Sequence, residues 1–380
     1  MAFVQATTGG GGWPMSVWLT PDQKPFFGGT YFPPDNRYGR PGFKAVLEYL
    51  SRLWQTERSR ILESSQQVHE QLGRHANVVD RGALDPKAAV DSAYQQFRRM
   101  FDARLGGFGG APKFPRPAVH NFLLRYWKRT GNEETLEMVV KTLQEMARGG
   151  MHDQIGGGFH RYSVDDRWFV PHFEKMLYDQ AQLAISYVEA YQITGDDFHA
   201  SMARDIFEYV IRDMTHPEGG FYSAEDADSV IDPARPDEKG EGAFYIWDRR
   251  ELEANLEQPV LDWFCYRYGV EPGGNVREDP HGEFTGRNIL FEARTVEDTA
   301  RRFGADTAEV SMVTANLTAL RGRPPGHFPS GRTEVYLGSC ERVHKARQLS
   351  CFGGESGDAC DIHGGGPCHR PGCLRWREKG

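Results

Sequence analysis

The sequence predicts a mixed fold, in which a short α/β unit precedes a larger and mainly α-helical part built from stacked helical hairpins. Two apolar runs separated by a turn-forming linker open the chain, and helical spacing of apolar residues dominates from there to about Leu320. The tripeptide Gly-Gly-Phe recurs between helical segments, at residues 106–108, 157–159 and 219–221. A loose period of this kind is typical of a two-helix unit with its loop, and stacked hairpins that close into a toroid are the architecture we expect.

The composition of the chain excludes several classes of partner. The 380 residues carry a formal net charge of -8, so neither nucleic acid nor an acidic membrane surface is an expected partner. No apolar run approaches the length of a bilayer span, and the first residues lack the basic flank and apolar stretch of a signal peptide. We expect a soluble, cytoplasmic protein whose partners are small molecules or other proteins.

The first predicted domain covers residues 1–75. Apolar runs at residues 17–19 and 26–32 flank a Thr-Pro-Asp-Gln-Lys linker, which predicts an antiparallel hairpin. Helical spacing of apolar side chains over residues 43–68 predicts that a helix comes after the hairpin. Because two strands and a helix cannot cover both faces of the sheet, we expect part of this unit to be missing or supplied by a neighbour.

The second predicted domain, residues 83–320, consists of successive helices with recognisable starts. Asp85, Asn132 and Asp196 each precede a run with helical apolar spacing, and such side chains cap helix N-termini. Residues 172–194 are apolar on several sides, which predicts an inner helix covered by its neighbours. Chance recurrence of Gly-Gly-Phe, in a chain with 43 glycines, is the alternative to a true structural repeat.

The third predicted segment, residues 321–380, is an irregular tail rich in glycine and cysteine. Helical periodicity stops after Leu320, and five of the six cysteines lie in this tail. A zinc module is the alternative interpretation, with the ligands Cys360, His363, Cys368, His369 and Cys373. Their separations differ from the paired spacing of structural zinc sites. We therefore expect a disordered tail, no bound metal and no cofactor.

Residues 149–183 form the stretch that most resembles a functional site. They carry three histidines, a group of aspartates and a Glu-Lys pair among aromatic residues, between two helical segments. Titratable groups set among aromatic side chains are what a water-poor pocket for acid–base chemistry or sugar binding requires. The connection is also longer than the few residues that usually join two helices, and long ordered loops are often functional.

Several motifs resemble those of the spermatogenesis-associated protein 20 family, whose members combine a thioredoxin-like domain with an α/α-toroid. In the first region the motifs are GGGWPMSV at residues 10–17, LTP at 19–21, FFGGTYFPP at 26–34 and GF at 42–43. In the second region they are APKFP at 111–115, GFHRYS at 158–163, VPHFEKMLYDQA at 170–181 and GGFYSAEDADS at 219–229. The resemblance spans residues 3 to about 320. It implies a partial thioredoxin-like unit followed by a toroid similar to those of six-hairpin glycosidases and N-acylglucosamine epimerases.

The chain departs from the family pattern in two respects. The family carries a Cys-x-x-Cys pair upstream of GGGWP, whereas no cysteine precedes Cys265 here, so thioredoxin chemistry is not expected in the first domain. The Trp13-Pro14 bond takes the place of the cis-proline of thioredoxin-like folds, and we expect it to be cis. Because residues 321–380 do not resemble the family, we hypothesise a truncated splice or gene-model variant whose fold is incomplete at both ends.

The fold relatives implied by the resemblance use paired histidines or paired carboxylates as acid and base, and this chain offers both. The candidate catalytic residues are His160, His172, Glu174 and Asp179. The candidate substrate-binding residues are Lys113, Tyr162, Trp168, Lys175, Tyr178, Glu225, Asp226 and Asp228. The aromatic members of this set are expected to stack on a sugar ring. On a helix that begins near His172, Lys175 and Asp179 share one face.

Two functions stay open at the level of the sequence. The first is a binding or regulatory role without redox activity, connected with spermatogenesis by the resemblance alone, for a sugar-like small molecule or a protein partner. The second is an enzyme of carbohydrate metabolism, in which the candidate catalytic residues perform epimerase-like or glycosidase-like acid–base chemistry. For each residue taken alone, an ordinary structural role such as an ion pair within a helix is the alternative, since fold similarity does not by itself transfer chemistry.

Overall fold

The computed structural model of the chain describes residues 1–37, 39–76, 85–232, 234–277, 282, 284–316 and 332–333. The chain divides into two units, Met1–Ala89 and Val90–Gly380. Of the predicted tail, only residues 332–333 are described, and the cysteines and histidines considered for zinc binding lie outside the described residues. Within the described part, no helix has the length and apolar character that crossing a bilayer requires.

The first unit is built on a two-stranded antiparallel sheet. Its elements are α1 (Ala2–Thr8), β1 (Ser16–Leu19), β2 (Pro25–Gly29), α2 (Phe43–Thr56) and α3 (Arg58–Ala76). The buried hydroxyl of Thr20 donates a hydrogen bond to Asp22, and the Thr20 amide donates to the carbonyl of Lys24, which closes the turn between the strands. The predicted hairpin is confirmed, and the Trp13-Pro14 bond is cis as expected.

Aromatic side chains pack helix α2 of the first unit on this sheet. Trp18 of β1 lies with its ring 5.4 Å from that of Phe27 and 6.0 Å from that of Phe43, while Phe26 of β2 stacks on Trp54 of α2 at 5.9 Å. Aromatic pairs at such separations contribute roughly 0.5–1.5 kcal/mol beyond the area that they bury. The helix α1 was not predicted, because seven residues are too few to show helical periodicity.

The second unit is mainly helical. Its helices are most of α4 (Pro86–Met100), α5 (Pro117–Thr130), α6 (Glu133–Arg148), α7 (Leu177–Thr194), α8 (Asp197–Asp213), α9 (Arg249–Asn255), α10 (Val260–Arg267), α11 (Val296–Phe303) and α12 (Thr307–Asn316). Its strands are β3 (Tyr162–Ser163), β4 (Pro171–His172), β5 (Lys175–Met176), β6 (Ala224–Glu225), β7 (Asp228–Asp232), β8 (Arg235–Glu241) and β9 (Arg332–Thr333). The antiparallel strand pairs are β3–β4, β5–β6, β6–β9 and β7–β8. The predicted mixed fold, a small α/β unit before a mainly helical part, is confirmed.

Two helical hairpins, α5–α6 and α7–α8, share one type of connection. Gly131 and Gly195 end the first helix of each hairpin with φ of 69° and 68°, a left-handed conformation that glycine adopts without steric cost. Asn132 and Asp196 then cap the second helices, since each side chain accepts a hydrogen bond from the backbone N–H two residues further on. The helix starts predicted at these two caps are confirmed.

The core of the second unit lies among α4 to α8. Helix α5 contacts both α6 and α7, and α7 contacts α8. Leu123, Leu143 and Leu183 are fully buried there, and burial of each such side chain stabilises the fold by roughly 1.5–3 kcal/mol. The prediction that this helix is covered by its neighbours on several sides is wrong for the described residues, because the buried side chains of α7 lie on one broad face and Tyr178, Gln182 and Ile185 are exposed on the other.

The prediction that this helix begins near His172 is wrong. The helix begins at Leu177, and the two preceding segments are the short strands β4 and β5. Partners distant in the chain hold this backbone extended, because Arg161 donates its N–H to the carbonyl of Glu174, and Leu177 donates to Ser223. Lys175 therefore does not share a helical face with Asp179.

Candidate functional site

The three Gly-Gly-Phe loops have the same backbone geometry. All six glycines have a positive φ, between 66° and 93°. Each phenylalanine forms an isolated antiparallel bridge to the residue that follows a methionine, pairing residue 101 with 108, 152 with 159 and 215 with 221. At Gly158, a side-chain Cβ would lie 2.5 Å from the ring of Tyr209. The recurrence seen in the sequence is thus a repeated structural element.

Two of these loops hold a buried lysine. Nζ of Lys113 lies 3.0 Å from Oδ2 of Asp102, and Nζ of Lys175 lies 2.8 Å from Oδ2 of Asp153. Each ammonium also donates to a backbone carbonyl, that of Asp166 or Gly157 respectively. Both lysine side chains are fully buried. The sequence predicted that these lysines bind substrate, but the structure places them inside, where they hold the loops together.

A small cavity lies beside the second loop. Its lining includes His152, Asp153, His160, Phe173 and Tyr245. Its volume of about 30 Å³ leaves space for about two water molecules, whereas ligand pockets measure roughly 300–1,000 Å³. The cavity therefore does not accommodate a sugar ring in this structure.

His160, one of the predicted catalytic residues, lines this small cavity rather than an open pocket. Its Nδ1 lies 3.0 Å from the carbonyl oxygen of Phe173, and the residue is almost fully buried. Burial, together with the nearby positive charge of Lys175, lowers the pKa of His160 to about 3. The imidazole is consequently neutral at physiological pH and does not join the other predicted catalytic groups at the surface.

Those other groups meet where β4, β5 and the start of α7 come together, in what we term the histidine–carboxylate cluster: Arg161, His172, Glu174, Asp179 and Glu241. Nη1 of Arg161 donates to Oε2 of Glu174 at 2.5 Å, and Nε2 of His172 lies 3.8 Å from the same oxygen. On the other side of the imidazole, Nδ1 lies 2.7 Å from Oε1 of Glu241. The side chains of His172, Glu174 and Glu241 are 25%, 24% and 27% exposed, so a solute can reach them.

Aromatic rings border this cluster. Tyr162 stacks on His172 with ring centroids 5.0 Å apart and on Phe114 at 4.7 Å. Tyr178 is exposed and interacts with Arg161. Trp168 does not belong to this wall, because it is fully buried and its indole N–H donates to the carbonyl of Leu105. Of the three aromatic residues predicted to bind substrate, the structure brings only the two tyrosines to the cluster.

The carboxyl group of Asp179 has an unusual environment at the first turn of α7. Burial raises the pKa of Asp179 to about 7, with Arg161 opposing this rise and Glu174 adding to it. Its Oδ2 is buried and has no hydrogen-bond partner among the described residues. A carboxyl group that titrates near neutral pH is suited to donate a proton or to hydrogen-bond a neutral ligand.

The three acidic residues at positions 225–228 that were predicted to bind substrate lie in different environments. Glu225 is buried in β6, where its carboxylate accepts hydrogen bonds from the hydroxyls of Tyr209 and Tyr245. Asp226 accepts from the backbone N–H of Asp228, which begins β7 opposite Glu241. Only Asp228 therefore borders the histidine–carboxylate cluster. In the described part of the chain, no three His, Cys, Asp or Glu side chains are grouped so that they could hold a metal ion.

Sequence reasoning missed two members of the cluster, Arg161 and Glu241. Arg161 lies in the GFHRYS motif between the candidate residues His160 and Tyr162, so the motif itself carried a signal. Glu241 lies 69 residues after His172, at the end of a hairpin whose polar sequence shows no strand pattern. Burial acts to raise the pKa of Glu241, but the hydrogen bond and charge of His172 and the backbone N–H of Phe173 together outweigh it and leave the pKa below its usual range.

Thiol chemistry has no support in the described residues. Cys265 is buried, and burial raises the pKa of its thiol to about 11, which keeps it protonated and unreactive. Residues 1–73 contain no cysteine.

The protein therefore belongs to a class that combines a small α/β unit with a set of helical hairpins. In this chain the mainly helical unit carries the histidine–carboxylate cluster. The family described as "Thioredox_DsbH: Protein of unknown function, DUF255" matches residues 1–73, which shows the thioredoxin-like character of the first unit. Spermatogenesis-associated protein 20 of Homo sapiens is 43% identical over 361 residues, which cover 89% of this chain and 46% of that protein. An uncharacterized protein of Caenorhabditis elegans is 40% identical over 328 residues, covering 82% and 44% of the two chains.

The chain belongs, over this matched region, to the spermatogenesis-associated protein 20 family, as its motifs predicted. It spans about half the length of these curated relatives. Solved structures that match include cellobiose 2-epimerase from Spirochaeta thermophila, with a TM-score of 0.32, 15% identity and coverage of 64% of this chain and 66% of that one. A family 76 glycoside hydrolase (mannosidase) from Bacteroides thetaiotaomicron matches with a TM-score of 0.33, 13% identity and coverage of 62% and 66%.

Proposed function

We propose that the second unit binds a sugar-like, polyhydroxylated small molecule at the histidine–carboxylate cluster. The observation that carries this proposal is the convergence of charged groups from four separate chain segments beside an aromatic wall on a partly exposed surface. Carboxylates and a guanidinium supply both acceptors and donors for hydroxyl groups, while the exposed ring of Tyr178 offers an apolar face for stacking. We also propose for this chain a role in spermatogenesis, which rests on the names of its relatives, and a cytoplasmic location.

A second candidate function, acid–base catalysis on the bound sugar, is favoured by Asp179. A carboxyl group with a pKa of about 7 populates both its protonated and its ionised form at neutral pH, as a general acid or base requires. His172 is the second titratable group of the same cluster. His160, which was predicted to share this role, is left out of this proposal because it is buried beside the small cavity.

A ligand screen tests the binding proposal. Thermal shifts and calorimetric titrations of the full chain are measured with D-glucose, D-mannose, N-acetyl-D-glucosamine and their 6-phosphates. Arg161→Ala is expected to weaken binding of any active sugar by at least about tenfold, because a charged hydrogen bond is worth about 1.5–3 kcal/mol.

The matched control is Arg125→Ala, since Arg125 forms a comparable surface ion pair with Glu189 in the same unit. This control is expected to leave affinity unchanged. Absence of binding by every sugar, or equal losses in the two variants, would contradict the proposal.

Catalysis is distinguished from binding by one further comparison. If the cluster is an active site, proton NMR of the sugar in deuterated buffer shows deuterium incorporation or product formation with the native chain at neutral pH. Asp179→Asn then retains binding and loses turnover. Binding without turnover by the native chain would refute catalysis and support only the ligand-binding role.

A further inference from the structure

The last residue of the β7–β8 hairpin, Glu241, is held in place by its neighbours. It lies opposite Asp228, and the next residue, Gly242, donates its backbone N–H to the carbonyl of Ala227. Gly242 has a φ of 68° and its backbone is packed directly on the ring of Phe173, where no side chain fits. The end of the hairpin is thereby fixed against the segment that carries His172.

The Glu241 carboxylate contacts that segment at two points. Its Oε1 lies 2.7 Å from Nδ1 of His172 and accepts a longer hydrogen bond, 3.4 Å, from the backbone N–H of Phe173. An ionised carboxylate has no proton to give, so the proton of the short hydrogen bond belongs to Nδ1 of the imidazole. In a neutral histidine, the hydrogen bond made by one ring nitrogen decides which nitrogen carries the proton.

The opposite ring nitrogen of His172 faces the rest of the cluster. Nε2 lies 3.8 Å from Oε2 of Glu174, which is longer than a hydrogen bond, and that oxygen already accepts from Arg161. Tyr162 covers one face of the imidazole by stacking. Among the described residues, the carboxylates within 4 Å of the ring nitrogens of His172 are therefore Glu241 on the Nδ1 side and Glu174, which is paired with Arg161, on the Nε2 side.

We infer that Glu241 is a positioning residue for His172: it holds the proton on Nδ1 and leaves Nε2 as the acceptor for a hydroxyl group of the ligand. The β7–β8 hairpin is then a part of the binding site, although it contributes no direct ligand contact through Glu241. The ligand in this inference rests on the proposed function, whereas the position of the proton does not.

The position of the proton is measured directly by NMR. Long-range proton–nitrogen spectra of the full chain with ¹⁵N-labelled histidine, recorded at a pH where His172 is neutral, distinguish the two tautomers, and His172→Gln assigns the signal. The expected result is a protonated Nδ1 and an unprotonated Nε2. A proton on Nε2 in the native chain would overturn the inference, and this outcome needs no variant that must fold.

A pair of hairpin variants identifies the cause. Glu241→Ala is expected to move the His172 population toward the other tautomer, while Glu238→Ala, on the exposed part of the same strand, leaves it unchanged. Glu241→Gln controls for loosening of the hairpin in Glu241→Ala. The glutamine keeps an acceptor oxygen at this position, so it is expected to restore the proton on Nδ1. A tautomer that is the same in native chain and Glu241→Ala would show that Glu241 does not set it.

The last test of the positioning role measures the affinity of the variants for a sugar that binds the native chain in the screen. Glu241→Ala is expected to weaken affinity about as much as His172→Ala, roughly tenfold, and the double variant is expected to bind no more weakly than His172→Ala alone. Fully additive losses would contradict action through His172. Failure of all sugars to bind refutes the proposed function, yet leaves the tautomer measurement intact as the test of the positioning role.

Discussion

Replacing Asp179 by asparagine isolates the electrostatic cost of one carboxyl group in the candidate site. Burial raises the pKa of Asp179 from 3.8 to about 7. A difference of about 3 pKa units between folded and unfolded chain corresponds to about 4 kcal/mol, at roughly 1.4 kcal/mol per unit. Because the folded pKa is raised, this proton-linked stability is fully present below pH 4 and is lost as the pH rises through 7. Asparagine keeps the shape of the protonated carboxyl group and does not titrate.

The assay is urea unfolding of the native chain and Asp179→Asn at several values between pH 4.5 and pH 8, followed by tryptophan fluorescence. Near pH 4.5 the two proteins are expected to have similar free energies of unfolding. At pH 8 the variant is expected to be more stable, by up to about 4 kcal/mol. A stability difference that does not change with pH, or a variant that is less stable at pH 8, would refute this account of Asp179.

Three further predictions concern the loops beneath the cluster. For Asp205 the pH dependence of stability has the opposite sign to that of Asp179, because burial acts to raise its pKa but His152 holds the pKa below its usual range. In the same urea assay, Asp205→Asn is expected to destabilise the chain at neutral pH, with a penalty that shrinks as the pH falls below 4. Lys175→Met is expected to cost about 3–5 kcal/mol in thermal unfolding, against less than about 0.5 for the surface control Lys141→Met, because only the first removes the ammonium group that neutralises a buried carboxylate, that of Asp153. Gly158→Ala is expected to lower the melting temperature more than Gly220→Ala, since both have positive φ but only Gly158 faces an aromatic ring; equal losses would contradict the packing argument.

The features that the sequence predicted correctly depend on neighbouring residues. A glycine followed by Asn132 or Asp196 fixes a helix end and the next helix start within a few positions, whatever the rest of the chain does. The first hairpin is equally local, because its turn and both strands lie within residues 16–29. These elements could therefore be assigned without any knowledge of tertiary contacts.

The features that were missed depend on partners far along the chain. Lys175 has an extended backbone because it pairs with Glu225 in the neighbouring strand. The sequence around Lys175 also suits a helix, and nothing in it indicates the pairing. The same limit applies to the site. The titratable character of Lys175 and the aromatic ring of Trp168 suggested ligand contacts, but only tertiary packing decides that they are buried and that Glu241 reaches His172.

The central claim, that the histidine–carboxylate cluster binds a sugar-like ligand, is tested most directly by following the imidazole signals of the chain during a sugar titration. The account predicts that the ring signals of His172 shift saturably, while those of His69 in the first unit do not move. Saturable binding without a shift at His172, or no binding at any concentration reached, would contradict it.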